Sequence, residues 1–114
     1  KAIRIQEKVK GIGFDWDNKE QVWEKVQEEL QEFKNELDAQ DHVNMEQEFG
    51  DLMFSIVNYA RFVGINPEDA LEKTNKKFVD RFKKMEITIQ KEGKNLKQMD
   101  LNEMNIYWNA AKES

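Results

Sequence analysis

The sequence predicts an all-α fold, arranged as a four-helix-bundle-like domain. Apolar residues recur every three or four positions through most of the chain, which is the spacing of helices that bury one face. One Pro and five Gly among 114 residues are too few turn-forming residues for the many turns of an all-β fold. Charged residues make up 36% of the chain and apolar residues 39%, a balance that suits helices with one solvated face. Because this length fits one domain, residues 1–114 are expected to form a single domain.

The first two helical segments flank a short loop with aromatic residues. Ala2 to Val9 carry the first helical pattern, and Gly11 is its natural stop. Asn18 opens the second helix, with Gln21 completing a capping box. This helix is expected to bury a face formed by Val22, Val26, Leu30, Phe33 and Leu37.

Two more long helices follow, and a short turn separates the second helix from the third. That turn is expected to span Ala39 to Val43, and Gly64 closes the third helix. Asn66-Pro67-Glu68-Asp69 begins the fourth, with a cap, a proline at the first position and acids near the helix N-terminus. The expected buried residues are Met45, Phe49, Leu52 or Met53, Ile56, Ala60 and Val63 on the third helix, and Leu71, Thr74, Phe78, Phe82, Met85 and Ile89 on the fourth.

A short last helix follows a hydrophilic link around Gly93. Asp100 and Glu103 form another capping box at its start. Its expected buried face consists of Leu101, Met104, Trp108 and Ala111. In a chain this small, so many amphipathic helices rarely bury all of their apolar faces against one another. Exposed apolar faces pair with a second copy, so we expect the protein to form a homodimer.

Composition excludes several classes of function. The chain has no cysteine, which excludes disulfides and thiolate metal sites and fits a cytoplasmic protein. A net charge of −5 argues against nucleic acids and anionic membranes as partners. No apolar run approaches the roughly 18 residues of a membrane span. The chain starts at Lys1 without Met, so we expect it to be part of a longer chain.

Two acidic pairs, Glu29-x-x-Glu32 and Glu48-x-x-Asp51, carry the strongest chemical signal. Each pair places two carboxylates one turn apart on one helix face. A short turn requires the two helices to pack antiparallel, which allows the pairs to face each other. Four such carboxylates repel unless a cation lies between them, and a divalent, oxygen-preferring ion fits best. This pattern favours an enzyme that acts on phosphates.

The alternative is that these charges are only solvated helix faces. A Glu pair at this spacing in an acidic helix is usually exposed. Glu48 argues against this, because it lies within about 40° of Leu52 on the helical wheel, where an unpaired carboxylate costs stability. The fourth helix carries a stripe of basic residues, Lys73, Lys77, Arg81 and Lys84. This stripe could bind a polyphosphate, but charged residues at this spacing are also common on exposed helix surfaces. A single histidine excludes a di-iron bundle in practice.

Several segments together resemble one known family. They are Glu28-Glu29-Leu-Gln-Glu32, Glu48-Phe-Gly-Asp51-Leu-Met-Phe, Gly13-Phe-Asp-Trp16, Val63 to Ala70, and Thr74 to Phe82. This set is similar to the MazG-type nucleoside triphosphate pyrophosphohydrolases, particularly the C-terminal catalytic half of two-domain bacterial MazG proteins. The resemblance covers nearly the whole chain. It implies the all-α NTP pyrophosphatase fold, a homodimer, and clearance of aberrant nucleotides.

The activity implied by this resemblance is hydrolysis of nucleoside triphosphates to the monophosphate and pyrophosphate. Mg²⁺, with Mn²⁺ as a substitute, would activate water for attack between the α- and β-phosphates. The implied metal ligands are Glu29, Glu32, Glu48 and Asp51, and Glu28 or Glu32 would accept the proton of the water. The implied substrate-binding residues are Lys77 and Arg81 at the phosphates, Lys25 and Glu28 in the nucleotide-contacting turn, and Trp108 and Lys112 near the C-terminus.

One segment departs from the family pattern, and two other functions stay open. Asn44-Met-Glu-Gln47 stands where relatives often carry Lys and an extra Glu, so no nucleotide contact is assigned to Asn44. The first alternative is a superfamily relative that acts on one nucleotide, such as dUTP, dCTP or phosphoribosyl-ATP. The second is a non-catalytic helical module that dimerises through its apolar faces.

Overall fold

A computed structural model describes residues 1–40 and 42–112 of the chain. Within that range the chain forms only helices and turns, which confirms the all-α prediction. The helices are α1 (Ala2–Lys10), α2 (Lys19–Ala39), α3 (His42–Phe62), α4 (Pro67–Lys91) and α5 (Leu101–Lys112), with a short 3₁₀ helix at Leu96–Gln98. The helices fall into two compact units, Lys1–Pro67 and Glu68–Ser114.

Local capping chemistry fixes the helix starts, largely as predicted. The Asn18 side chain accepts a 3.0 Å hydrogen bond from the backbone N–H of Gln21. Gln21 does not return the bond to Asn18, as the predicted capping box requires, but accepts from the N–H of Asp17 at 3.1 Å. The Asp100 carboxylate accepts from the N–H of Glu103 at 2.8 Å, so half of the second predicted box is present.

The connection between α2 and α3 is shorter than predicted. Helix α2 ends at Ala39, and Gln40 adopts a left-handed conformation with φ of 57°. Its N–H donates to the carbonyl of Leu37, which satisfies a carbonyl at the helix end. Helix α3 already begins at His42, so the expected turn through Val43 is wrong at its end. Within the predicted turn, Asp41 lies outside the described residues, and the left-handed Gln40 is followed by helix from His42.

Helices α2 and α3 form an antiparallel hairpin in the first unit. Trp23, near the start of α2, contacts Tyr59, near the end of α3, with ring centroids 5.1 Å apart. Phe33, farther along α2, contacts Phe49, near the start of α3, at 5.4 Å. This reversed order of contacts is the antiparallel packing that the short connection requires.

Helix α1 and the following loop are attached to α3 by polar contacts. The Gln6 amide donates a 3.0 Å hydrogen bond to the backbone carbonyl of Phe54. Arg61 donates to both oxygens of Asp15, at 2.8 and 3.3 Å, and to the Asn58 side chain at 2.7 Å. The Arg61 hydrogen bond is the main reason that the pKa of Asp15 lies below its usual value. A bidentate charged pair of this kind fixes the loop that leads into α2.

The faces that α2 and α3 bury agree only in part with the predicted ones. On α2 Val22 and Val26 are buried, as predicted, together with Glu29, and on α3 Leu52 is buried, as predicted, together with Ser55 and Asn58. Glu29 is therefore buried while its neighbour Leu30 is 54% exposed. The predicted buried faces are wrong at five positions that are half exposed: Leu30, Leu37, Phe49, Met53 and Ile56. Apolar spacing gives the period of a helix, but the hairpin contact here selects smaller and more polar side chains.

The second unit contains α4 and α5 and the link between them. Met85 and Ile89 are buried, as predicted, whereas Leu71, Phe78 and Leu101 are more than half exposed, against the prediction. The apolar residues of α4 and α5 recur at helical spacing, but only part of each apolar stripe is buried.

The link between α4 and α5 is fixed by a small polar network. Lys94 bonds to the Tyr107 hydroxyl at 2.9 Å and to Glu103 at 3.2 Å, and Tyr107 donates to Glu92 at 3.1 Å. The contact with Tyr107 is the main cause that raises the pKa of Lys94 to about 12. Gly93 takes the positive φ of 72° that ends α4.

Candidate functional site

Three carboxylates converge where α2 packs against α3. Glu29 of α2 and Glu48 and Asp51 of α3 can each offer one oxygen such that these oxygens all lie within 4.8 Å of one another. Glu29 is 5% exposed, Glu48 is partly buried and Asp51 is exposed. The cluster therefore runs from a buried floor to solvent, so that a small ligand could enter from the Asp51 side.

Two oxygens in this cluster lack hydrogen-bond donors. Oε2 of Glu29 and Oε2 of Glu48 are buried and have no partner among the described residues. Oε1 of Glu29 forms an ion pair with Nζ of Lys25 at 2.8 Å. Leaving a buried carboxylate oxygen unpaired costs stability. An all-oxygen set of this kind is what Mg²⁺ and similar hard cations bind, so the residues present fit a divalent metal ion.

The other three predicted residues of α2 are linked to Glu29, either directly or through Lys25. The pKa of Glu32 is raised, chiefly by the negative charge and close approach of Glu29, and to a lesser degree by burial and Glu48. Glu32 therefore lies beside the three-carboxylate cluster. Lys25 lies between Glu29 and Glu28, at 2.8 and 3.5 Å, and its hydrogen bond to Glu29 is the main cause of its raised pKa.

The remaining predicted residues lie together in the second unit. Lys77 and Arg81 of α4 and Trp108 and Lys112 of α5 line one cavity of about 460 Å³. Arg81 donates from Nε to the carbonyl of Trp108 at 2.9 Å, and its guanidinium carbon lies 3.9 Å from the centre of the indole ring. The other residues that line the cavity are Thr74, Phe78, Asp80, Lys84 and Ala111. Several cations around a concave surface form an arrangement suited to phosphate groups.

Each predicted set is thus assembled within its own unit. The carboxylates, Lys25 and Glu28 belong to the first unit, and the basic and aromatic residues belong to the second. Sequence reasoning missed the role of Phe78, which was expected in the core but lines the cavity and contacts Trp108 with ring centroids 5.0 Å apart. Its spacing of three residues from Arg81 was the available signal, because residues at that spacing share a helix face.

The described helices include none with the length and apolar composition needed to cross a membrane.

Comparison with known proteins identifies the family. Residues 17–86 match the MazG nucleotide pyrophosphohydrolase domain. This range includes all the predicted carboxylates, Lys77 and Arg81. A Thermotoga maritima protein named nucleoside triphosphate pyrophosphohydrolase/pyrophosphatase MazG is 50% identical over 111 residues, which are 97% of this chain and 42% of that protein. An Escherichia coli strain K12 protein named nucleoside triphosphate pyrophosphohydrolase is 37% identical over 98% of this chain and 43% of its own length.

A third relative shares only part of the chain. The Bacillus subtilis protein YabN is 49% identical over 71 residues, which are 62% of this chain and 14% of that protein. The chain therefore spans less than half of the length of each of these relatives. The domain match nevertheless covers more than half of the chain and all of the carboxylate cluster. The chain belongs to the MazG nucleotide pyrophosphohydrolase domain family.

Proposed function

We propose that this protein hydrolyses nucleoside triphosphates to the nucleoside monophosphate and pyrophosphate, with Mg²⁺ as its cofactor. The observation that carries this proposal is the pair of buried, unpartnered oxygens of Glu29 and Glu48 beside Asp51. The names of the Thermotoga maritima and Escherichia coli relatives support the reaction. The resemblance adds clearance of aberrant nucleotides as the role of the reaction.

In this proposal Glu29, Glu32, Glu48 and Asp51 hold the metal. Bound Mg²⁺ would neutralise phosphate charge and make a water molecule more acidic. Mn²⁺ accepts similar oxygen ligands and is the expected substitute. Lys25 has a separate task, because its ion pair engages Oε1 of Glu29 and leaves Oε2 without a partner among the described residues.

Lys77, Arg81 and Lys112 are proposed to bind the phosphates, and Trp108 completes their cavity. Each cation neutralises charge that builds up on the leaving pyrophosphate, and their fixed positions keep the reacting atoms aligned. Lys25 and Glu28 are proposed to contact the nucleotide. The attacking water must lose a proton, and Glu28 and Glu32 are the two proposed acceptors.

We also propose that the protein is a homodimer and works in the cytoplasm. The exposed apolar residues of α2 and α3, such as Leu30 and Met53, support association with a second copy. The proposed substrates, nucleoside triphosphates, support a cytoplasmic location. The net charge of −5 supports a free nucleotide rather than a nucleic acid as the partner.

The decisive experiment is identification of the product. Incubation of nucleoside triphosphates with the protein and Mg²⁺ should release pyrophosphate, and EDTA should stop its release. Release of orthophosphate alone would overturn the proposed bond cleavage. A panel that includes dUTP, dCTP and phosphoribosyl-ATP would show whether one nucleotide is preferred. No turnover of any nucleotide, with no effect of Mg²⁺ on thermal stability, would favour the non-catalytic helical module.

Matched variants test the proposed ligands. Glu48→Gln and Asp51→Asn should each lower Mg²⁺-dependent turnover by roughly 100-fold or more, because each removes a charged oxygen from the metal. Glu46→Gln is the control, since Glu46 is an exposed acid two residues from Glu48 on the same helix. For the cavity, Lys77→Ala should weaken nucleotide binding roughly tenfold, with Lys76→Ala as control. Normal turnover of Glu48→Gln would show that the ligand assignment is wrong.

A further inference from the structure

Trp108 holds the Arg81 side chain at two points within the second unit. The Nε–H of Arg81 donates a 2.9 Å hydrogen bond to the backbone carbonyl of Trp108. The guanidinium carbon also lies over the indole ring, 3.9 Å from its centroid. A cation is attracted to the face of an aromatic ring, and Trp is the strongest such partner. The carbonyl therefore fixes the position of the guanidinium, and the ring restrains its rotation.

Phe78 contacts the ring that restrains Arg81. The centroids of Phe78 and Trp108 are 5.0 Å apart and the ring planes are tilted by 51°, within the range that aromatic pairs favour. Phe78 and Arg81 are three residues apart on α4, so they project from the same face and reach Trp108 of α5 together. Phe78 is 58% exposed, so burial alone does not explain an aromatic residue at this position.

These contacts decide how Arg81 can meet a ligand. Because Nε is engaged by the carbonyl of Trp108, contacts with phosphate oxygens fall to the two Nη groups at the end of the side chain. A side chain that is already oriented loses less rotamer freedom when it binds. The ring face under Arg81 is also covered, so that face does not stack on a nucleotide base.

We propose that Trp108 and Phe78 are positioning residues: Trp108 orients Arg81 for phosphate binding through its ring and carbonyl, and Phe78 holds the Trp108 ring in place. This inference rests on the proposed function, in which Arg81 binds the phosphates of the substrate. Trp108 thus acts on the ligand through Arg81. Loss of either aromatic ring should affect every ligand that carries the polyphosphate, whatever its base.

The first test observes Arg81 directly, without any ligand. In the wild-type protein, the NMR signal of the Arg81 Nε–H should be displaced by the ring current of Trp108 and should exchange slowly with water. Trp108→Phe should reduce the displacement, and Trp108→Ala and Phe78→Leu should abolish or reduce it. Val79→Ala is the control, because Val79 is a half-exposed neighbour of Phe78 that does not line the cavity. A wild-type signal in all three aromatic variants would overturn the proposal.

The second test compares two ligands that share a polyphosphate but differ in the base. Inorganic tripolyphosphate and the non-hydrolysable α,β-methylene analogue of ATP are titrated into each variant. Trp108→Ala should weaken both ligands by the same factor, roughly tenfold, and should add nothing in an Arg81→Ala background. Weakening of the analogue alone would assign Trp108 to base stacking and overturn the proposal. If neither ligand binds wild-type protein, the proposed function fails, and the Arg81 signal still decides the positioning relationship.

Discussion

Lys25 pairs with only one oxygen of Glu29. Its ammonium group lies 2.8 Å from Oε1, while Oε2 is buried and has no hydrogen-bond partner among the described residues. The same lysine also lies 3.5 Å from Glu28. One cation therefore pairs with one oxygen of this carboxylate, and the other oxygen is the one that we propose to be available to a metal ion.

Removal of this lysine should make stability depend more on metal. Lys25→Met should lower the free energy of unfolding by about 1–2 kcal/mol in EDTA, because a buried carboxylate loses its ion pair, while the partial exposure of Lys25 limits the loss. Mg²⁺ should restore more stability to the variant than to the wild type. Thermal denaturation with EDTA and with Mg²⁺ measures both effects, and equal effects of Mg²⁺ on the two proteins would contradict this view. Lys19→Met, in the first turn of α2, is the control.

Neutralisation of Glu29 should remove the dependence of stability on metal. Glu29→Gln removes one of the mutually repelling charges but also breaks the ion pair with Lys25, so in EDTA the two effects should largely offset and the Tm should stay within about 2 °C of the wild type. Mg²⁺ should then no longer raise the Tm, and turnover should be lost. Glu24→Gln, an exposed position on the same helix, should change neither property. A variant whose Tm Mg²⁺ raises as much as it raises that of the wild type would show that Glu29 does not hold the metal.

The Asp15–Arg61 pair should make stability depend on acid pH. The pKa of Asp15 in the folded protein lies below its ordinary value of 3.8, chiefly because of the Arg61 hydrogen bond. A depressed pKa contributes stability that is fully present above the unfolded value and is lost as pH falls through the folded value. The stability difference between the wild type and Asp15→Asn should therefore be constant above about pH 5 and shrink below pH 3.8.

Chemical denaturation from pH 7 to pH 3 measures this difference. Asp17→Asn, in the same loop, is the control, because the hydrogen bond of Asp17 described above comes from its backbone N–H. If the difference between wild type and Asp15→Asn is the same at pH 3 and pH 7, the ion pair does not stabilise the fold.

The exposed apolar residues of the α2–α3 hairpin should govern association. Met53 is 53% exposed and Ile56 is 48% exposed. If they form the proposed dimer contact, Met53→Asp should halve the mass measured by light scattering, because an unpaired charge is costly in an apolar interface. Gln47→Asp, at an exposed polar position on α3, should leave the mass unchanged. Circular dichroism should show unchanged helix content, since Met53 is not buried within the chain.

Local chemistry explains which parts of the fold the sequence could predict. Asn18, Pro67 and Gly93 act on their immediate neighbours, so the helix starts and stops near them follow from residue type alone. The burial of Glu29 in place of Leu30 could not be predicted in this way. Apolar spacing gives a helix its period, but the rotation of that helix about its axis depends on the partner helix, which local sequence does not define.

The same distinction applies to the candidate site. The carboxylates could be grouped because each pair is one turn apart and a short turn returns the chain. The contacts of Arg81 with the carbonyl and ring of Trp108 join residues 27 positions apart. The resemblance placed both residues in one substrate-binding set, but only tertiary structure shows that one restrains the other.

The left-handed residue Gln40 ends α2 on the C-terminal side of Glu29. Because each residue of a helix advances it by about 100°, an insertion in α2 between Glu29 and this end would rotate Glu29 away from Glu48 and Asp51, although none of the proposed ligands would be altered. Gly adopts the left-handed backbone without strain, so Gln40→Gly should preserve the hairpin, whereas one residue inserted after Leu30 should retain helical structure and lose metal affinity.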